Sequence, residues 1–167
     1  MTLAPLLIAL ENTSWATAIR EGSYLFPAIE TVHVIALTAV VGSIAVLDLR
    51  LLGVFAHHRR VTRLARELLP VTWGAFALAV GSGSLLFASA ATRYAGNPAF
   101  QVKAVILLLA GLNMAAFHGG VFRRVQDWDE AQRTPVAARF AGAASLALWI
   151  TLVAAGRFIG FTDIAGP

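Results

Sequence analysis

The sequence predicts an all-α integral membrane protein: an up-down bundle of four helices with an N-terminal interfacial helix. Three observations carry this. The 167 residues are 58% hydrophobic and only 13% charged, with a mean hydropathy of +0.73, whereas a soluble domain is roughly 45–50% apolar and about 25% charged. Four apolar segments follow one another, each long enough at ~1.5 Å per residue to cross a ~30 Å hydrocarbon core. Basic residues crowd into alternate connections between those segments. The composition excludes disorder, and the lack of cysteine excludes disulfides, thiolate metal centres and thiol chemistry. Residues 1–167 read as a single membrane domain.

Residues 3–20 read as a helix lying on the membrane surface. Leu3, Leu6, Leu7 and Leu10 fall on one face at helical spacing, and Trp15 suits the interface. No Lys or Arg precedes the apolar run Leu3–Leu10, so it lacks the charged start of a signal peptide. The first span runs from about 24 to 52, with Pro27 tolerated in its first turn. The second, about 71–92, is set off by Pro70, and its glycines at 74, 81 and 83 allow close helix approach. The run Gly81-Ser82-Gly83-Ser84 reads as helix packing. The third, about 100–122, carries small residues at Gly111, Ala115 and Gly119. The fourth, about 139–161, holds Arg157 within a Gly156-x-x-x-Gly160 pair.

Nine of the 13 basic residues lie at one end of the spans. They are Arg50, Arg59, Arg60, Arg63 and Arg66 around the first connection, and Arg123, Arg124, Arg133 and Arg139 around the third. Arg20, Arg93, Lys103 and Arg157 lie at the other. The positive-inside rule then predicts cytoplasmic arginine-rich connections and both termini on the outer side, which is the periplasm for the bacterial inner membrane expected here. It accounts for the high isoelectric point without nucleic-acid binding. Asp127-Trp128-Asp129-Glu130 reads as a solvated acidic patch.

Ionisable groups inside a span are costly and are functional suspects. Glu30 lies about 9 Å and His33 about 14 Å below the outer end of the first span, Lys103 about 5 Å and Arg157 about 6 Å below theirs. Three helices thus contribute polar groups to one outer half, and Glu30 and His33 share a face at i, i+3. Two readings follow. In one, Glu30 pairs with Arg157 or Lys103 and His33 is a hydrogen-bonded packing residue. In the other, His33 is a metal ligand, axial to a haem iron, with Lys103 and Arg157 meeting propionates and Glu30 orienting the ring. Leu37, Phe100 and Trp149 would supply an apolar pocket.

Towards the inner end, Asp48 and Arg50 are expected to pair with neighbouring charges or to cap the helix. His118 lies about 22 Å along its helix from Lys103. Together with His57 and His58 it is expected to be structural. There is no P-loop, Rossmann glycine pattern, His-Glu-x-x-His or Gly-x-Ser-x-Gly.

The residues Glu11-Asn12-Thr13, Ala18-Ile19-Arg20, Glu30-Thr-Val-His33, Asp48-Leu-Arg-Leu-Leu-Gly53, Asn97-Pro98-Ala-Phe100-x-x-Lys103 and Gly156-Arg157-x-Ile159-Gly160 resemble a bacterial family of four-helix membrane proteins of unknown function. More distantly, His33-Val-Ile-Ala … Gly42 … Asp48-Leu-Arg50 and Lys103 … Phe117-His118-Gly119 are similar to HemJ-type protoporphyrinogen oxidases, and the chain to CopD-like copper-resistance membrane proteins. The HemJ-type resemblance implies haem b, with His33 as ligand and Lys103 near iron or propionates. The copper implication sits poorly with a chain whose only soft donors are Met1 and Met114.

The expectation that follows is a small b-type haem protein for electron transfer or redox sensing. Its partners would be the lipid bilayer and membrane or redox proteins of a larger complex. Its rival is a cofactor-free membrane scaffold or assembly subunit whose outer polar cluster is an ion-pair lock. A transporter using Glu30 and His33 as a proton relay is a third reading, opposed by the uncharged, unbroken second span.

Overall fold

A computed structural model of the protein describes residues 3–56, 58–129 and 134–162, without the side chains of 161 and 162. His57, Glu130 and Arg133 lie outside the described residues. The described chain is all-helical: α1 (Ala4–Glu11), α2 (Ser14–Glu21), α3 (Leu25–Leu52), α4 (Val61–Ser89), α5 (Ala91–Gly96), α6 (Pro98–Gly119), a 3₁₀ turn (Val121–Asp127) and α7 (Val136–Thr162). Helices α3, α4, α6 and α7 are each long and apolar enough to cross a membrane.

The interfacial segment is two helices, not one. Thr13 adopts an extended backbone, and its hydroxyl donates to the Leu10 carbonyl at 2.8 Å, closing the end of α1. The next helix, α2, buries Ala16 and Ile19. Of the expected apolar face, Leu3 and Leu6 are exposed and Leu7 and Leu10 half-buried.

Helix α3 ends where Gly53 takes φ +77°, a left-handed conformation that costs glycine little. Helix α4 starts at Val61 rather than Val71, and Pro70 lies inside it. Proline in a helix interior removes a hydrogen bond and costs about 3 kcal/mol. Packing at the helix start opposes that cost: Val61 is buried with Leu51, Val125, Trp128 and Ala138. Hydropathy misses these turns because Arg63, Arg66 and Glu67 face outward. Asn97 caps α6, its Oδ1 accepting from the Ala99 and Phe100 amides at 2.9 and 3.4 Å. Pro98 follows at a position where no N–H is needed.

Helix α3 packs against both α4 and α7, and α7 packs in turn against α6. The shared core holds Val40, Ile106, Trp149, Leu152 and Ala155, with Phe76 of α4 packed on it. Polar links tie helix pairs. Thr72 Oγ1 donates to Ser43 Oγ at 2.8 Å between α4 and α3, and Asn113 Nδ2 to the Ala141 carbonyl at 3.0 Å between α6 and α7. Outward-facing Thr31, Thr38 and Thr151 return their hydroxyls to carbonyls four residues back, which satisfies them without water. Val34, Ile35, Leu108, Leu112, Ile150 and Phe158 are exposed. Lipid is the solvent that such a surface fits.

Candidate functional site

His33 leaves α3 towards α4. Its Nδ1 lies 2.9 Å from the Ala79 carbonyl oxygen and 3.0 Å from Ser82 Oγ. A carbonyl only accepts, so Nδ1 carries the proton. Ser82 spends its own hydroxyl proton on the Leu78 carbonyl at 2.7 Å and is left to accept. In the neutral ring Nε2 then holds the lone pair, and it has no hydrogen-bond partner among the described residues. The ring sits on Gly83: a Cβ there would lie 2.9 Å from His33 Cε1 and 3.4 Å from Nδ1. The Ser82-Gly83 pair that reads as packing in the sequence is the seat of this histidine. A histidine opposite a small-residue run in another span is the signal that points to it.

Lys103 leaves α6 towards α7, where a Cβ on Gly156 would meet its Nζ at 3.5 Å. The first glycine of the Gly156-x-x-x-Gly160 pair thus makes room for a lysine. Lys103 and Glu30 both act electrostatically on His33. His33 and Lys103 are each seated on a glycine of a neighbouring helix, one between α3 and α4 and the other between α6 and α7.

The other two expected members sit differently. Glu30 and Arg157 are exposed. Among the described residues the ion pairs are Arg20 with Glu11 and Glu21, and Glu67 with Arg59 and Arg63. The expected Glu30–Arg157 pair is not formed, and Arg157 makes interactions of its own. Both side chains are exposed, so neither leaves a buried charge for the other to neutralise. Of the proposed pocket residues, Trp149 is buried and turns into the core. Leu37 and Phe100 are half-buried, and Phe100 stacks on Phe87 at 5.3 Å.

At the arginine-rich end Arg50 is 3% exposed. It does not end in a charge pair within bonding distance. Its Nε donates to the Arg59 carbonyl at 2.7 Å and its Nη1 to Thr134 Oγ1 at 3.2 Å, so it staples two connections to α3. The acidic patch is not a solvated loop: Trp128 and Asp129 are buried. Asp129 accepts from the Thr62 amide at 2.9 Å and from the Thr62 hydroxyl, capping the start of α4 from across the fold. Asp48 is buried, and its Oδ2 has no donor among the described residues. His118 is exposed, donates to the Met114 carbonyl at 3.0 Å and packs on Phe117 and Phe122. His58 is exposed at the same end.

Among the described residues, no three His, Asp or Glu side chains gather into a metal cage. A metal on His33 would have to arrive with most of its ligands. No curated protein and no solved structure matches the chain, so neither HemJ-type nor CopD-like proteins find support there. A family model does match, over residues 18–162. The match runs from α2 through the end of α7, and so takes in His33, Lys103 and both of their glycine seats: the chain belongs to the family of unknown function DUF6644.

Proposed function

We propose that this integral membrane protein binds haem b through His33 and serves electron transfer or redox sensing in the bacterial inner membrane. The observation that carries the reading is the hydrogen bond that orients the His33 ring. Its Nδ1–H is committed to the Ala79 carbonyl, so Nε2 presents a lone pair. Histidine ligands to metals are commonly oriented by such a second-nitrogen hydrogen bond. Lys103, whose charge reaches His33, would supply a cation suited to a carboxylate by a charge-assisted hydrogen bond. Bound haem would supply one-electron chemistry. The chain's own part is to orient the ring, hold an anionic substituent at Lys103 and keep the site in an apolar surround.

The second reading is a cofactor-free scaffold or assembly subunit. The close seating of His33 on Gly83 favours it, because a ring locked between helices also holds them together. One experiment separates the two. The full chain is produced with ample haem, purified in detergent and examined by reduced-minus-oxidised spectroscopy. A b-type band is expected in the wild type and in His118→Ala, and its loss in His33→Ala. A colourless wild type, or a band lost only in His118→Ala, overturns the haem assignment.

A further inference from the structure

The arginine-rich end carries a surface pocket of about 370 Å³ lined by Arg60, Thr62, Arg63, Arg66 and Glu67. All five belong to the start of α4 or its cap. Three guanidinium groups face one carboxylate there, so the pocket is cationic. Glu67 holds Arg63 by its Nε at 3.2 Å and Arg59 by Nη2 at 3.3 Å. The two terminal nitrogens of Arg63 make no hydrogen bond among the described residues. Thr62 gives both its amide and its hydroxyl to Asp129, so neither donor is left for a ligand.

What separates this pocket from any patch of surface arginines is what lies below it. Arg66, Pro70, Trp73, Ala77 and Val80 follow at three- and four-residue steps on one face of α4, and each is exposed. Trp73 is 51% exposed and Val80 49%. From Arg66 to Val80 this face runs about 21 Å, longer than the ~15 Å half-thickness of a hydrocarbon core. A guanidinium pocket at the top of an outward apolar face matches an amphiphile with an anionic head. Trp73 follows Arg66 by two turns on that face, and tryptophan is enriched where membrane helices meet the interface. A soluble phosphate or a nucleic acid would use the arginines and leave that face without a role.

We propose that this pocket is a specific site for the phosphodiester headgroup of an anionic phospholipid in the leaflet at the arginine-rich end, with an acyl chain lying along α4. The proposal is independent of any cofactor at His33. Arginine forks pair with phosphate oxygens in a bidentate way, and basic pockets beside membrane helices are suited to anionic headgroups.

The test uses the full chain in detergent, titrated with phosphatidylglycerol or phosphatidylcholine and read by native mass spectrometry and thermal shift. Phosphatidylglycerol is expected to be retained and to stabilise, and phosphatidylcholine to do neither. Arg63→Gln/Arg66→Gln should weaken phosphatidylglycerol binding about 30-fold. Seven basic residues remain at that end against four at the other, so orientation is kept. Glu67→Gln, which removes the competing carboxylate, should strengthen binding. The charge-matched control Arg123→Gln/Arg139→Gln alters two exposed arginines at the same end but outside the pocket, and should leave binding unchanged. Equal binding of both lipids overturns the site. So does an equal loss in the control pair, which would mean diffuse attraction, or equal stabilisation by inorganic phosphate, which would mean a bare anion site.

Discussion

Of the two carboxylates on α3, Glu30 is exposed and Asp48 is 6% exposed. Asp48 is pressed by α7: a Cβ on Gly142 would lie 3.2 Å from the Asp48 carbonyl oxygen. One carboxylate oxygen, Oδ2, has no donor among the described residues. A buried polar atom left unsatisfied costs about 1–3 kcal/mol. Asp48→Asn keeps the shape and removes the ionisable oxygen, so it should melt at or above the wild-type temperature in detergent. A markedly lower melting temperature would show that the carboxylate is holding something the amide cannot. Gly83 gives the opposite sign. A methyl group there meets the His33 ring at 2.9 Å, and overpacking of this kind costs about 1–3 kcal/mol. Gly83→Ala should therefore lower the melting temperature and, where haem is bound, shift or erase its band. Gly81→Ala has open space within 4 Å and should be neutral or stabilising, since alanine is a better helix former by up to about 1 kcal/mol. If both variants behave alike, His33 is not seated on Gly83.

At the scale of elements, the four spans are legible because apolar runs of that length have no other use, and their pairing is not. Where α4 begins is hidden because its first turns are amphipathic: Val61, Leu64 and Ala65 are buried while Arg63, Arg66 and Glu67 point outward. A hydropathy window averages the two faces and stops at Pro70. The same blindness turned Trp128 and Asp129 into a loop, although they cover and cap that helix start. The surface helices carry a link that composition does not reveal. Glu11 at the end of α1 accepts from the Thr92 hydroxyl at 2.6 Å and amide at 3.0 Å, joining α1 to α5. Those two bonds, with Arg20 and Arg93 nearby, hold the Glu11 carboxyl below its ordinary value of 4.5. A depressed carboxyl contributes stability that is complete above the unfolded value and is lost as pH falls through the folded one. Protection of the amides in residues 4–21, corrected for the intrinsic pH dependence of exchange, should therefore hold through neutral and mildly acid pH and fall only below about 4.5, with Glu11→Gln removing that acid step. Because the group is partly exposed, solvent screening keeps the effect small. Identical acid profiles in the variant and the wild type would show that the link does not control docking of α1.

For the whole molecule, the polar residues of the site were visible one at a time, as ionisable groups within apolar runs. Which of them meet depends on helix neighbours: α3 with α4 seats His33, and α6 with α7 seats Lys103. Glu30 and Arg157 are exposed and do not pair with each other. Orientation is a property of the same scale. Four spans place the start of α3 and the end of α7 at one end, and nine basic residues crowd the other against four. Carrying an arginine through a bilayer centre costs roughly 2.5–3.5 kcal/mol on insertion scales, and the side with more of them stays where the chain is made. A reporter active only in the periplasm should be silent when inserted after Gly53 and active when fused after Pro167. Changing any one arginine to glutamine should leave that pattern intact. Arg59→Gln/Arg60→Gln/Arg63→Gln/Arg66→Gln leaves five basic residues against four. That near balance should give a mixed population, with reporter signal from both fusions. A silent loop fusion in the quadruple variant would mean that charge outside this connection sets orientation, and an active one in the wild type would invert the topology.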